Sequence, residues 1–179
     1  MNLPQAVIAF VGLPGSGKST VGRQLARRLD IRFFDSDAMI ENRLGFSIRE
    51  FFEREGEDAF RDLEQSVISE VTQADTCVLS TGGGVVVRET NRDNLRLRCQ
   101  TVYLHSEPDE VFRRLRHDRN RPLLQVADPL SRLKELYEVR DPLYRAASHF
   151  VVETGRPVVS ELVATILTRL QAAGALTSS

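Results

Sequence analysis

The segment Gly12-Leu13-Pro14-Gly15-Ser16-Gly17-Lys18-Ser19 constrains this chain more than any other, because it satisfies the full G-x-x-x-x-G-K-[ST] pattern. Its placement sharpens the reading. Residues 6–11 (AVIAFV) ahead of it form a short, nearly continuous apolar run, the mark of a strand buried on both faces, as in a parallel sheet. Behind it, Val21, Leu25, Ala26 and Leu29 recur at helical spacing. Strand, glycine-rich turn and helix in that order wrap backbone N–H groups around an anion and aim a helix N-terminus at it, with a lysine reaching the outer oxygens. The expectation is a nucleotide phosphate held at Gly15, Ser16, Gly17, Lys18, Ser19 and Thr20, with the Ser19 hydroxyl on Mg²⁺.

Composition narrows the class. The chain has 179 residues, and its 24 basic side chains nearly balance 25 acidic ones, so no global field favours nucleic acid or an anionic membrane. No apolar run has the length of a membrane span, and MNLPQAVIAF lacks the basic start and long apolar stretch of a signal peptide, so a cytoplasmic location is expected. Cys77 and Cys99 lack C-x-x-C or Cys/His spacing and read as buried thiols. Of the 24 basic residues only Lys18 and Lys134 are lysine, leaving 22 arginines. A lysine kept at position 18 fits a site that needs a compact, mobile ammonium in place of a planar fork.

Further strands are expected at residues 31–34, 77–80, 101–104 and 150–152. Helical stretches are expected at 38–44, 48–54 and 58–72, with breaks at Gly45 and Gly56, and at 89–98, from Pro108, and at 129–139. A last helix carries the stripe Val158, Val159, Leu162, Val163, Ile166, Leu167 and Leu170, which reads as core packing. The alternation makes an α/β fold, a parallel sheet of about five strands with helices on both faces. One domain over residues 1–179 is expected, with no repeat or linker and fraying over 174–179. Ligands of such sheets bind beyond the carboxyl ends of the strands. The arginine-rich stretch 116–128 has no clear periodicity and reads as a mobile loop.

The third expected strand ends in Ser80-Thr81-Gly82 and carries no metal-holding aspartate, so that carboxylate must come from elsewhere. Asp35 and Asp37 close the second strand two residues apart. Either one serves Mg²⁺ and the other an acceptor, or Ser36 or Asp37 simply caps the next helix. Arg61, Arg121 and Arg140 are the cations singled out, against a background of solvated arginines. Arg121, in the loop, is placed to close over a nucleotide and stabilise a transferring phosphoryl group.

Beyond the phosphate loop, the chain resembles the shikimate kinase family from about residue 7 to 170. The resemblance is carried by GLPGSGKSTVGRQLA, FFDSDAMIE, GFSIREFFEREGEDAFRDLE, STGGGVV, RNRPLL and RDPLYRAASHFVVET, in that order. It implies transfer of the γ-phosphoryl group of ATP to the 3-hydroxyl of shikimate, on the route to chorismate and aromatic amino acids. It also implies a three-layer P-loop kinase fold like that of nucleoside monophosphate kinases, with strand order 2-3-1-4-5, substrate-binding helices over about 38–72 and a lid over about 116–128. Position by position, Lys18 looks like the phosphate-binding lysine, Ser19 like a Mg²⁺ ligand and Asp35 like the carboxylate that holds Mg²⁺ through water. Asp37 resembles the residue on the shikimate hydroxyls and the candidate base. Arg61 and Arg140 match the substrate-carboxylate arginines, Gly83 and Gly84 the backbone against the ring substituents, and Arg121 the lid arginine.

The chain departs from the family at Gly155-Arg156-Pro157, where many members carry asparagine or polar residues around adenine. Arg156 and Arg114 are carried as nucleotide contacts. Arg114 either stacks on the base or is a solvated helix arginine. The competing readings are a small-molecule kinase of similar fold, of gluconate or nucleoside monophosphate type, and a nonenzymatic shikimate- or nucleotide-binding regulator. A monomer is expected.

Overall fold

The computed structural model describes residues 6–116, 126–155 and 158–176. Within them five strands, β1 (Val7–Val11), β2 (Arg32–Asp35), β3 (Cys77–Ser80), β4 (Cys99–His105) and β5 (Phe150–Glu153), form a parallel sheet in the order β2-β3-β1-β4-β5. The helices are α1 (Lys18–Leu29), α2 (Ser36–Leu44), α3 (Ile48–Val71), α4 (Glu89–Arg98), α5 (Pro108–Leu115), α6 (Pro129–Ala147) and α7 (Val159–Ala172), with a 3-10 turn over Val85–Val87.

The alternation of side chains along a strand splits β1 between two cores. Val7, Ala9 and Val11 join Ile68, Leu95, Val111, Leu133 and Tyr144 on the face covered by α3 to α6. Ile8 and Phe10 join Val21, Leu25, Leu162, Val163, Ile166 and Leu170 on the face covered by α1 and α7. All five β1 residues are buried, which is why the run reads as continuously apolar. A third cluster, Ile40, Phe60 and Val67 with Phe51 and Phe52 against it, packs α2 on α3 beside the sheet. The thiols of Cys77 and Cys99 are free and buried, as expected.

Several boundaries differ from the expectations, each for a tertiary reason. The helix expected over 129–139 continues through Pro142 to Ala147. An interior proline costs a helix about 3 kcal/mol. Here Tyr144 and Ala147 are buried, the Tyr103 hydroxyl donates to Asp141 at 2.8 Å and the Tyr144 hydroxyl donates to the Gly83 carbonyl at 2.5 Å. Those contacts outweigh the local penalty. Gly56 does break α3, with φ 84° and ψ 176°. Helix α2 starts at Ser36 because its cap is Asp35, where the sequence had offered Ser36 or Asp37 as the alternative: the Asp35 carboxylate accepts from the N–H groups of Asp37 and Ala38. Val158 leaves the α7 stripe and is exposed, while Ala175 and Leu176, inside the stretch expected to fray, are buried in the second core. Residues 117–125 of the expected lid, with Arg121, lie outside the described residues, as does Arg156. Among the described residues no helix is long and apolar enough to cross a membrane.

Candidate active site

The phosphate loop leaves the carboxyl end of β1 and enters α1 at Gly17, whose φ of 94° is a left-handed conformation. Gly17 caps α1 without a side chain, and the first turn holds no acidic residue, so the N–H groups of the turn remain for an anion. A Cβ on Gly12 would meet the Leu104 carbonyl at 2.6 Å, so the loop can lie this close to β4 only with glycine there. The buried Lys18 ammonium donates to the Gly12 and Leu13 carbonyls at 2.8 and 2.9 Å, which holds it over the loop.

Beside the loop lies a cavity of about 350 Å³ lined by Lys18, Ser19, Thr20, Asp35, Asp37 and the Ser80–Gly83 backbone, among others. The sheet order creates it, since β3 sits between β1 and β2 and brings Asp35 opposite Ser80. The two carboxylates then divide. Asp35 Oδ1 caps α2, while Asp35 Oδ2 accepts from the Ser19 hydroxyl at 2.7 Å and Ser80 Oγ stands 3.1 Å from Ser19 Oγ. Capping and a place beside Ser19 thus fall to one carboxylate, Asp35, where the sequence offered Ser36 or Asp37 for the cap. This all-oxygen set suits a hard cation that keeps several waters and takes phosphate oxygens as further ligands, as Mg²⁺ does. Among the described residues no cluster of three or more His, Cys, Asp or Glu side chains competes as a metal site.

Asp37 lines the same cavity from beside Gly82, where a Cβ would meet its Oδ1 at 2.7 Å. Burial, then the negative charges of Glu64 and Asp35, push its carboxyl up to about 6, against the pull of Lys18. A carboxylate so tuned is a proton acceptor near neutral pH.

Arg61 is buried on the second segment of α3 and lies flat against Gly84, where a Cβ would be 2.6 Å from its Cζ. Its Nη1 donates at 2.8 Å to Glu64, itself buried and pushed up by burial against the pull of Arg61, Arg140 and Arg88. Arg140, half-buried on α6, bears electrostatically on the same Glu64 and on the Tyr144 hydroxyl. Burial raises the Tyr144 hydroxyl to about 12, so it stays protonated as the donor to Gly83. The structure therefore brings Lys18, Ser19, Asp35, Asp37, Arg61, Gly83, Gly84 and Arg140 around one end of the sheet.

Glu64, Tyr144 and Ser80 were not singled out in the sequence. Glu64 stands three residues after Arg61 and Tyr144 four after Arg140, so helical spacing was the available signal. Arg114 is exposed on α5 but not unattached. It donates to the Thr154 carbonyl at 2.9 Å and to Ser106 Oγ at 3.3 Å. It edges a groove of about 400 Å³ on the far side of the loop, with Gly17, Thr20, Val21, Val158, Val159 and Leu162.

A central β1 feeding a phosphate loop, a 2-3-1-4-5 parallel sheet and oxygen ligands beside a carboxylate-lined cavity define the P-loop kinase class. Comparison with known proteins agrees and goes further. The family described as Shikimate kinase matches residues 14–171, and the chain belongs to that family. It is 58% identical to a shikimate kinase of Paracidovorax citrulli, covering 97% of each chain, and 54% identical to one of Burkholderia lata, covering 97% of this chain and 94% of that one. A solved shikimate kinase from Acinetobacter baumannii in complex with shikimate superposes with a TM-score of 0.90 at 41% identity, over 94% of both chains. A gluconokinase from Sinorhizobium meliloti, at 20% identity and a TM-score of 0.64, shares the fold alone.

Proposed function

We propose that this protein is a cytoplasmic, monomeric, single-domain enzyme that transfers the γ-phosphoryl group of ATP to the 3-hydroxyl of shikimate, giving shikimate 3-phosphate and ADP, with no nucleic-acid or membrane partner. One observation carries the choice of acceptor. A buried guanidinium, Arg61, lies on Gly84 at one end of the site and the high-pKa carboxylate of Asp37 lies on Gly82 at the other. A small ring with a carboxylate at one end and hydroxyls at the other fits that polarity.

In this reading the N–H groups of Gly15 to Thr20 cradle the ATP phosphates and Lys18 exchanges loop carbonyls for phosphate oxygens. Ser19 and, through water, Asp35 would hold Mg²⁺, which would neutralise charge on the phosphates when bound. Arg61 and Arg140 grip the substrate carboxylate, and the Gly83–Gly84 backbone lies against the ring. Asp37 orients the acceptor hydroxyl and takes its proton as the new O–P bond forms and the old one breaks toward ADP. Arg121, carried over from the family pattern, and Arg156, in the loop where the chain departs from that pattern, complete the phosphate and nucleotide contacts, and the groove edged by Arg114 takes the nucleoside.

The test is ADP release from Mg²⁺-ATP with shikimate, quinate, gluconate or a nucleoside monophosphate as acceptor. Release that depends on shikimate alone is expected. Activity with another acceptor and silence with shikimate would overturn the roles of Asp37, Arg61 and Arg140 while leaving the phosphate loop intact.

A further inference from the structure

Arg61 is held by two unequal partners. Its Nη1 donates at 2.8 Å to Glu64, whose side chain is 1% exposed, and its Nη2 donates at 3.4 Å to Glu57, whose side chain is 61% exposed. The buried Nε–H has no acceptor among the described residues. Nε and Nη2 share one edge of the planar guanidinium, and an edge of this kind takes a carboxylate through two parallel bonds. Among the described residues, that edge meets only one long contact, to a glutamate that is mostly in water. The kink at Gly56 sets this up: it ends the first segment of α3, so Glu57 opens the second and lies four residues before Arg61.

We propose that Glu57 is a displaceable counter-ion on the substrate-carboxylate arginine: it shields the Nη2 side of Arg61 and gives way to the incoming carboxylate, which takes Nη2 and the orphan Nε–H together. Glu64 stays, because it is buried and its bond is short. Glu57 leaves, because it regains water at little cost. The exchange adds selectivity to the proposed acceptor reading, on which it rests. A neutral polyol cannot replace Glu57 on the guanidinium, whereas a carboxylate can. Glu57 is thus a specificity-determining residue that competes with substrate.

Removing the competitor tightens carboxylate binding by about 1.5- to five-fold, the range set by exposed ion pairs. The experiment titrates the full chain by calorimetry with shikimate, with shikimate methyl ester and with cyclohex-1-ene-carboxylate, using wild type, Glu57→Gln and Glu57→Ala. Glu53→Gln is the control, since Glu53 is an exposed neighbour paired with Arg49 on the same helix. Both Glu57 variants are expected to bind the two carboxylates more tightly, with the gap narrowing in high salt, and to lower KM for shikimate but not for ATP. The methyl ester and Glu53→Gln should show no such change. Unchanged or weaker carboxylate binding in Glu57 variants that melt like wild type overturns the proposal, as does equal tightening for the ester. Tighter binding of the simple carboxylate without turnover of shikimate would remove the acceptor reading and leave the exchange standing. Turnover without tightening would remove the exchange alone.

Discussion

The guanidinium of Arg61 lies against the backbone of Gly84 so closely that a single Cβ there would come within 2.5 Å of Nη1 and 2.6 Å of Cζ. Two residues from different elements thus share one volume, and glycine is what lets the buried cation occupy it. The arginine cannot retreat freely, because Glu64 behind it is buried and bonded to it.

Gly84→Ala is therefore expected to displace the Arg61 fork. KM for shikimate should rise by about ten-fold or more, equivalent to the loss of one charge-assisted bidentate contact, while KM for ATP stays near wild type. Initial-rate kinetics with each substrate varied in turn would decide it, and equal rises in both constants would show a general collapse of the site.

Asp37 ties activity and stability to pH in opposite directions. Its carboxyl is pushed up to about 6 in the fold from its ordinary 3.8, so the folded state binds the extra proton between those values. Stability from this group is greatest at low pH and falls as pH rises from about 4 to about 6, after which the cost of the buried charge is constant. Catalysis needs the ionised form, so kcat/KM should rise through about pH 6. Asp37→Asn should abolish turnover with ATP still bound, yet raise stability at pH 7 by about 1–2 kcal/mol. Calorimetric melting beside single-turnover assays reads both effects.

Asp35 combines a helix cap with a place beside Ser19, and two substitutions separate the tasks. Asp35→Asn keeps an oxygen for the cap and should melt close to wild type while needing far more Mg²⁺ for half-maximal activity. Asp35→Ala loses the cap as well and should cost a further ~1 kcal/mol. Equal melting of the two variants would show that the cap contributes nothing.

Tyr144→Phe removes the bond to the Gly83 carbonyl without changing the ring that packs on Tyr103. A loss of about 1 kcal/mol in denaturant unfolding is expected, with KM for shikimate raised more than kcat is lowered, since Gly83 is cavity wall.

Much of this protein was decided locally and could be read from the chain. The β1 run, the phosphate loop and the α7 stripe rest on continuous apolar burial, glycine at tight turns and a period of 3.6, which short-range sterics and burial impose whatever the partner. The break at Gly56 belongs there too. Arg61, Gly84 and Arg140 were legible only as members of a recurring pattern of motifs, because 22 arginines make any one of them anonymous by composition.

Tertiary structure decided the rest, wherever a local rule met a stronger distant contact. Pro142 should have ended α6, but the burial of Tyr144 and Ala147 and the bonds of Asp141 and Tyr144 carried the helix past it. Whether Asp35 stood beside Ser19 could not be resolved along the chain, because the answer depends on β3 lying between β2 and β1. The charge of Asp37 and the choice of Glu64 as the inner partner of Arg61 depend on desolvation. Desolvation exists only once helices from distant parts of the chain have closed over the sheet, so a linear sequence carries no local sign of it.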